Sequence, residues 1–223
     1  MKHNRRVNSS IDTFPESHHR YEAKLISSYI DGASILDIGC WTGQFLSLCG
    51  KAKKRTGIDI SAPAIAFARR ERKGVYRVAS ALNLPFQGRQ FDIVTMWDVI
   101  EHLPSSTEDR AISEVVRVLK PGGVFAMSTV TNHPLSILLD PAFFLIGHRH
   151  YSESFLRLLL ERHDLRVLNV VYTGGIWTLI DHNFGLLQKY IVGNKLFTPF
   201  KRLADSQEHE GGFNQIHLIA QMR

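Results

Sequence analysis

Apolar residues recur along this chain in two rhythms. Short runs closed by glycine, proline or an acidic residue read as buried strands, and stripes spaced three or four apart read as amphipathic helices. In the first run Ile35, Leu36 and Ile38 end a buried strand. Gly39 and Gly43 then let the backbone turn sharply and approach a ligand, since neither carries a side chain. Phe45, Leu46 and Leu48 open a helix whose amino end directs free N–H groups and a positive dipole end at the turn. Strand, glycine turn and helix make a nucleotide-binding corner.

The same reading predicts the remaining elements. Residues 1–18 are polar and basic and are expected to form a mobile arm. A helix is expected from about Arg20 to Ile30, stopped by Asp31-Gly32. Residues 56–60 form a second strand ending at Asp59, and Ser61 caps the next helix with Pro63 in its first turn. Val75–Ala79 is a third strand, Ser80–Gln90 a loop and Phe91–Trp97 a fourth, central strand. Ser106 and Asp109 fit a capping box for a helix striped by Ile112, Val115, Val116 and Leu119. Residues 120–123, KPGG, end that helix and lead into a fifth strand, Val124–Val130. Residues 131–151 look irregular, Ser152 caps a helix running to about Arg162, and Leu165–Tyr172 is a sixth strand. Residues 174–212 carry no clear periodicity and read as an insertion on the substrate side. In Gln215–Met222, Ile216, Leu218 and Ala220 alternate with polar residues, the mark of an antiparallel strand with one wetter side.

Alternating strands and helices predict one α/β domain over residues 1–223. Its expected parts are an arm and helix (1–31), a core (32–173), the insertion (174–212) and a closing strand (213–223). The fold expected is a Rossmann-like, doubly wound, seven-stranded sheet, mostly parallel with an antiparallel last strand. Ligands in such sheets lie beyond the carboxyl ends of the strands, where the strand order reverses. Gly39–Gly43, Asp59, Ser80–Leu82 and Trp97–His102 all fall at such ends.

Composition narrows the field. With 44% hydrophobic and 22% charged residues the chain is an ordinary globular domain, and no apolar run reaches the roughly 18 residues of a membrane span. The basic amino terminus lacks the apolar stretch of a secretory signal. Two cysteines, Cys40 and Cys49, read as reduced packing residues and fit a cytoplasmic location. A formal charge of +6 is too diffuse to indicate nucleic acid. Residues 184–202 carry four basic residues and no acidic one, consistent with a substrate lid or peripheral membrane contact.

Five stretches, taken in order, resemble the class I S-adenosylmethionine-dependent methyltransferases, in particular the ubiquinone-biosynthesis O-methyltransferase group. They are ILDIGCWTG (35–43), Asp59 after the second strand, ALNLPF (81–86), FDIVTMWDVIEHLP (91–104) and LKPGGVFAMST (119–129). GHRHYSESFLRLLLERHDL (147–165) is similar to a later segment of such enzymes. The resemblance implies S-adenosylmethionine as cofactor and assigns roles residue by residue. Gly39, Cys40 and Gly43 floor the methionine and ribose site, and Asp37 faces the methionine ammonium. Asp59 accepts from the ribose diol, a bidentate task that suits a carboxylate. Ile60 and Leu82 sandwich adenine, with Ser80 and Ala81 lining its edge. Trp97 lends backbone atoms, and Arg20 closes over the cofactor carboxylate. This chain departs from the family in carrying Trp41 where glycine is usual and Ser80 where an acidic residue is usual.

The Asp98-x-x-Glu101-His102 pattern supplies the catalytic candidates, with His102 as general base and Glu101 beside it. In some relatives this pattern contributes to a divalent-metal site. Ordering of the loop is the reading preferred here over metal binding at Asp98, Glu101 and His102. His148, His150 and Tyr151 are candidate substrate contacts, and His217 is read as structural. The reaction expected is transfer of a methyl group to a small-molecule acceptor, most naturally an oxygen. Nucleic-acid and protein acceptors are not expected. Two alternatives stand beside it: a nicotinamide-dependent oxidoreductase, which would need a G-x-G-x-x-G spacing absent here, and a non-catalytic protein of the same fold.

Overall fold

The computed structural model describes residues 16–140, 143, 147–181, 184, 203, 204, 207 and 211–223. Residues 1–15 of the expected arm (1–18) and the stretch 185–202 lie outside the described residues. Seven strands form one sheet: β1 (Ser34–Ile38), β2 (Lys54–Asp59), β3 (Val75–Val78), β4 (Phe91–Trp97), β5 (Leu119–Val130), β6 (Leu165–Thr173) and β7 (Gln215–Met222). Their order across the sheet is β3-β2-β1-β4-β5-β7-β6. The first five strands are parallel, and β7 runs antiparallel to both β5 and β6. The order reverses between β1 and β4, so a ligand crevice opens at their carboxyl ends.

Strand periodicity assigns alternate residues to opposite faces. Leu36, Val94, Met96, Phe125, Met127 and Leu218 pack on one face against helices α5 (Glu108–Val118) and α7 (Glu153–Arg162). Ile35, Ile93, Trp97, Ala126 and Ile219 pack on the other, against α1 (Glu16–Leu25), α3 (Gln44–Leu48) and α4 (Ala62–Glu71). Each fully buried aliphatic side chain contributes about 1.5–3 kcal/mol. Asp37 and Thr95, paired across β1 and β4, and His217 on β7 fall by this alternation on the α1 face. A polar cluster forms there, at the carboxyl end of the sheet. Ser61 and Ser152 cap α4 and α7, accepting from the amides of Ala64 and Phe155.

Several expected boundaries are corrected. The first helix begins at Glu16 rather than Arg20 and is interrupted before α2 (Ser27–Ile30), which brings His18 out of the supposed arm into helix. Ser106 does not cap α5. It sits in a turn at φ +63°, and Thr107, the N-cap residue, turns its hydroxyl to the Pro104 carbonyl at 2.6 Å. The segment KPGG belongs to β5, because Leu119 already pairs with Phe91 across a bulge. Residues 131–151 include a short helix, α6 (Pro134–Leu138), and β6 runs on to Thr173. The closing strand has no wet side. It lies between β5 and β6 rather than at an edge, so His217 is as buried as its apolar neighbours. Among the described residues no helix is long and apolar enough to cross a membrane.

Candidate active site

The glycine turn leaves β1 with both of its glycines in the left-handed region, Gly39 at φ +79° and Gly43 at φ +75°. Both positions also lack space. A β-carbon on Gly39 would lie 2.3 Å from Cγ2 of Val99, and one on Gly43 would lie 2.7 Å from the Tyr76 ring. Between them Trp41 adopts φ +46°, a conformation unusual for a bulky residue and natural for the glycine it replaces. Its N–H is held by Oδ2 of Asp59 at 3.0 Å, and Oδ1 of Asp59 accepts from the Ser61 amide at 2.7 Å. Asp59 therefore faces the first turn and links the exits of β1 and β2. A carboxylate offers about four acceptor positions, enough for these amides and a vicinal diol together.

Asp37 is 3% exposed and accepts from the Thr95 hydroxyl at 2.7 Å. Burial, joined by the charges of Glu22 and Asp59, pushes its carboxyl well above the ordinary range against the pull of Thr95. The charges of Glu22 and Asp59 reach the buried Asp37 carboxyl, and an amino acid ammonium is a group that could be held there. Cys40 is buried, with its sulfur packed on Gly57. Trp97 is buried edge-on to Phe45, and its Nε1 has no hydrogen-bond partner among the described residues. Arg20 lies exposed on α1. The expected adenine loop is a tight turn in which Ser80 Oγ accepts from the Leu82 amide at 3.1 Å. Ala81 is buried, Leu82 half-buried and Ile60 71% exposed. The turn, Asp59 and a pair of apolar residues at the adjoining strand ends could thus hold the sulfonium nucleoside along its length.

Beyond β4, Asp98 stands at φ +51°. Its carboxylate accepts from Ser128 Oγ at 2.7 Å and Gln215 Nε2 at 2.6 Å, and pairs with His18 at 3.3 Å. It is thus tied to α1, β5 and β7, and Asp98, Glu101 and His102, the trio weighed for a metal and set second to loop ordering, do not form a ligand group among the described residues. Among the described residues two metal-ligand groupings draw on this pattern, Glu101 with His102 and His148, and Asp98 with His18 and Glu22. Glu101, on a 3-10 turn (Ile100–His102), is 3% exposed and accepts from Thr129 Oγ1 at 2.9 Å. Burial and the charge of Asp98 push its carboxyl up. His102 is exposed, and its ring lies 4.6 Å from that of His148. Arg149 clamps the turn, donating to the carbonyls of Ile100 and Leu103 at 2.9 and 2.6 Å and to Glu108. Tyr151 is corrected from substrate contact to framework. It is 6% exposed, with its hydroxyl on Glu108 and the Ile100 carbonyl, because its place beside β5 aims it into the α5 face of the core.

One group of polar residues escaped the sequence reading. His18 and Glu22 are one helical turn apart on α1, and His18 bridges Glu22 at 3.2 Å and Asp98. His217, 1% exposed, is held by Thr173 Oγ1 at 2.9 Å and lies within ring contact of His18, Tyr21 and Trp97. The i, i+4 spacing of His18 and Glu22 was the available signal. Burial works against charge on His18, but Glu22 and Asp98 outweigh it and raise its pKa. Burial and the charge of His18 push His217 down to about 4.

Opposite pH limbs follow. The raised His18 contributes stability below about pH 6.5 that is lost as pH rises through its folded pKa. His217 stays neutral in the fold while the unfolded chain takes up its proton near pH 6.5, so its contribution fades as pH falls from 6.5 to 4. The shift corresponds to something on the order of 3 kcal/mol. Urea unfolding across this range should show His217→Gln flattening the limb between pH 6.5 and 4.5. An unchanged limb would remove His217 as its source.

Residues 36–127 match a methyltransferase domain family. The chain is 31% identical over 170 residues to a ubiquinone biosynthesis O-methyltransferase of Pseudomonas paraeruginosa, covering 73% of this chain and 68% of that protein. It is 40% identical over 111 residues to a tRNA (carboxymethyluridine(34)-5-O)-methyltransferase of Arabidopsis thaliana, covering 48% of this chain and 26% of the relative's length. The chain thus spans about a quarter of that relative. A geranyl diphosphate C-methyltransferase of Streptomyces coelicolor shares the fold, with a TM-score of 0.65 over 92% of this chain and 79% of its own at 17% identity. With glycines forced at two positions of one turn, a carboxylate bridging β1 and β2, and a relative matched over most of both lengths, the chain belongs to the class I S-adenosylmethionine-dependent methyltransferases.

Proposed function

We propose that this methyltransferase methylates an oxygen of a small hydroxylated molecule, with His102 as the base. The observation that carries the reading is the 3-10 turn after β4. It presents an exposed imidazole beside the crevice, backed by Glu101 and His148 and clamped by Arg149. S-adenosylmethionine supplies a sulfonium methyl that is already electrophilic. The chain has to align an acceptor with it, exclude water and take a proton. Neutral His102 accepts the proton of the acceptor hydroxyl, and Arg149 keeps the turn fixed through two carbonyls. Asp37, Gly39, Cys40, Gly43, Asp59, Ile60, Ser80, Ala81, Leu82, Trp97 and Arg20 are the proposed cofactor contacts. His148 and His150 are proposed for the acceptor side.

Support for an oxygen acceptor comes from the Pseudomonas and Arabidopsis relatives, both O-methyltransferases. The length of the Pseudomonas match favours a small molecule. The higher identity of the shorter Arabidopsis match favours a second reading in which the acceptor is tRNA. Incubation with deuterated-methyl S-adenosylmethionine, a pool of hydroxylated aromatics and total tRNA distinguishes them by mass spectrometry. Label in a small hydroxylated acceptor is expected, and label confined to tRNA overturns the small-molecule assignment. His102→Ala should lower kcat by about 10²- to 10⁴-fold without changing cofactor affinity. An unaltered kcat would remove it as base.

A further inference from the structure

Next to this turn, on the loop side, a second arrangement of side chains has a different chemistry. Oδ2 of Asp140 lies 2.6 Å from Nδ1 of His148 and 3.0 Å from Nε2 of His150. The three side chains are 12%, 11% and 3% exposed. The other nitrogen of His150, Nδ1, lies 2.7 Å from the carbonyl oxygen of Thr131. A carbonyl can only accept, and so can a carboxylate. His150 therefore faces acceptors through both ring nitrogens, although a neutral imidazole has one proton to offer. His148 is placed similarly but more loosely. Its Nδ1 faces Asp140, and its Nε2, without a hydrogen-bond partner among the described residues, stands 4.0 Å from Oε1 of Glu101. Such a set asks for a cation in its midst, either extra protons or a metal ion.

We propose that Asp140, His148 and His150 form a binding site for a first-row divalent transition ion, held through Oδ2, Nδ1 and Nε2. Two imidazoles and one carboxylate are a donor set that zinc and its neighbours accept and that magnesium and calcium do not favour. The outer partners are those that metal-bound histidines use. Thr131 O receives the Nδ1–H of His150, fixing Nε2 as the ligating atom, and Glu101 stands behind Nε2 of His148. An ion at the usual 2.0–2.1 Å would space tetrahedral donors about 3.3 Å apart, so binding would open the His150 pair from 3.0 Å by about 0.3 Å and the His148 pair from 2.6 Å by about 0.7 Å. This site lies on the opposite edge of His148 from the Glu101, His102 and His148 grouping and uses neither Glu101 nor His102 as a ligand.

The ion would tie residue 140 to residues 148–150, and through Thr131 to the exit of β5. It would thereby brace the wall of the acceptor side rather than take part in methyl transfer. The test uses zinc alone as probe. Full-length protein is loaded with zinc, dialysed, and its retained metal counted by mass spectrometry. One zinc per chain is expected, with Asp140→Asn and His150→Gln each weakening binding at least 10-fold and His102→Ala leaving it unchanged. Nitrogen-15 histidine spectra of the wild type give a readout that no variant's folding can confuse. Zinc should move the signals of His148 Nδ1 and His150 Nε2. Failure to retain zinc would show that the cation is a proton and would overturn the site. Retention in a folded His150→Gln variant, or zinc shifts confined to His102, would overturn it equally by locating the ion elsewhere.

Discussion

Asp59→Ala is expected to weaken S-adenosylmethionine binding by about 100-fold in calorimetry, roughly 2.7 kcal/mol. Two charge-assisted hydrogen bonds to a ribose diol, each contributing about 1.5–3 kcal/mol, account for a loss of that size. The variant also frees the amides of Trp41 and Ser61, which Asp59 now holds at 3.0 and 2.7 Å. Part of the loss would then come from a turn no longer held in place, because Trp41 keeps a left-handed conformation that a bulky side chain disfavours. Asp59→Asn separates the two effects. It retains one oxygen for an amide but lacks the charge, and should fall between wild type and Asp59→Ala. Equal affinity in all three proteins would exclude Asp59 from the cofactor site.

The second large effect is on stability. Gly39→Ala should cost about 2–4 kcal/mol, combining a left-handed φ for a residue with a β-carbon and a 2.3 Å collision with Val99. For a chain of this size the thermal midpoint should fall by roughly 5–15 °C. The double variant Gly39→Ala, Val99→Ala removes the collision and leaves the backbone term, so part of the loss should return as a coupling energy. Additive single effects would mean that Val99 turns aside without cost. Val99 immediately precedes the turn bearing Glu101 and His102, so in Gly39→Ala activity should fall beyond what cofactor occupancy explains.

How far the sequence could be read depended on where each residue's partners lie. β1, its glycine turn and β4 are local patterns, with the neighbours that decide them within a few residues. The Ser61 and Ser152 caps are equally local, each accepting from an amide three residues on. Ser106 carried the same spacing and failed, because Pro104 drew the Thr107 hydroxyl away and the turn took up a left-handed residue. The site was legible as far as the strand exits. Its second layer was not, since His18 meets Asp98 across 80 residues and Gln215 meets Asp98 across 117. His217 looked like the polar member of an alternating strand, and only the insertion of β7 between β5 and β6 buries it. Tyr151 shows the opposite error. A polar neighbourhood in sequence, His148-Arg149-His150, hid a side chain turned into the core.

The placement of β7 also sets an order of assembly. Residues 119–130 and 165–173 are both complete well before residues 215–222 leave the ribosome, yet these two segments meet only through that last strand. Until it arrives, each offers a row of unpaired amides and carbonyls to any passing chain. The nascent protein is therefore most open to misassociation during the synthesis of residues 174–214, and any change that slows entry of residues 215–222 into the sheet should lower soluble yield.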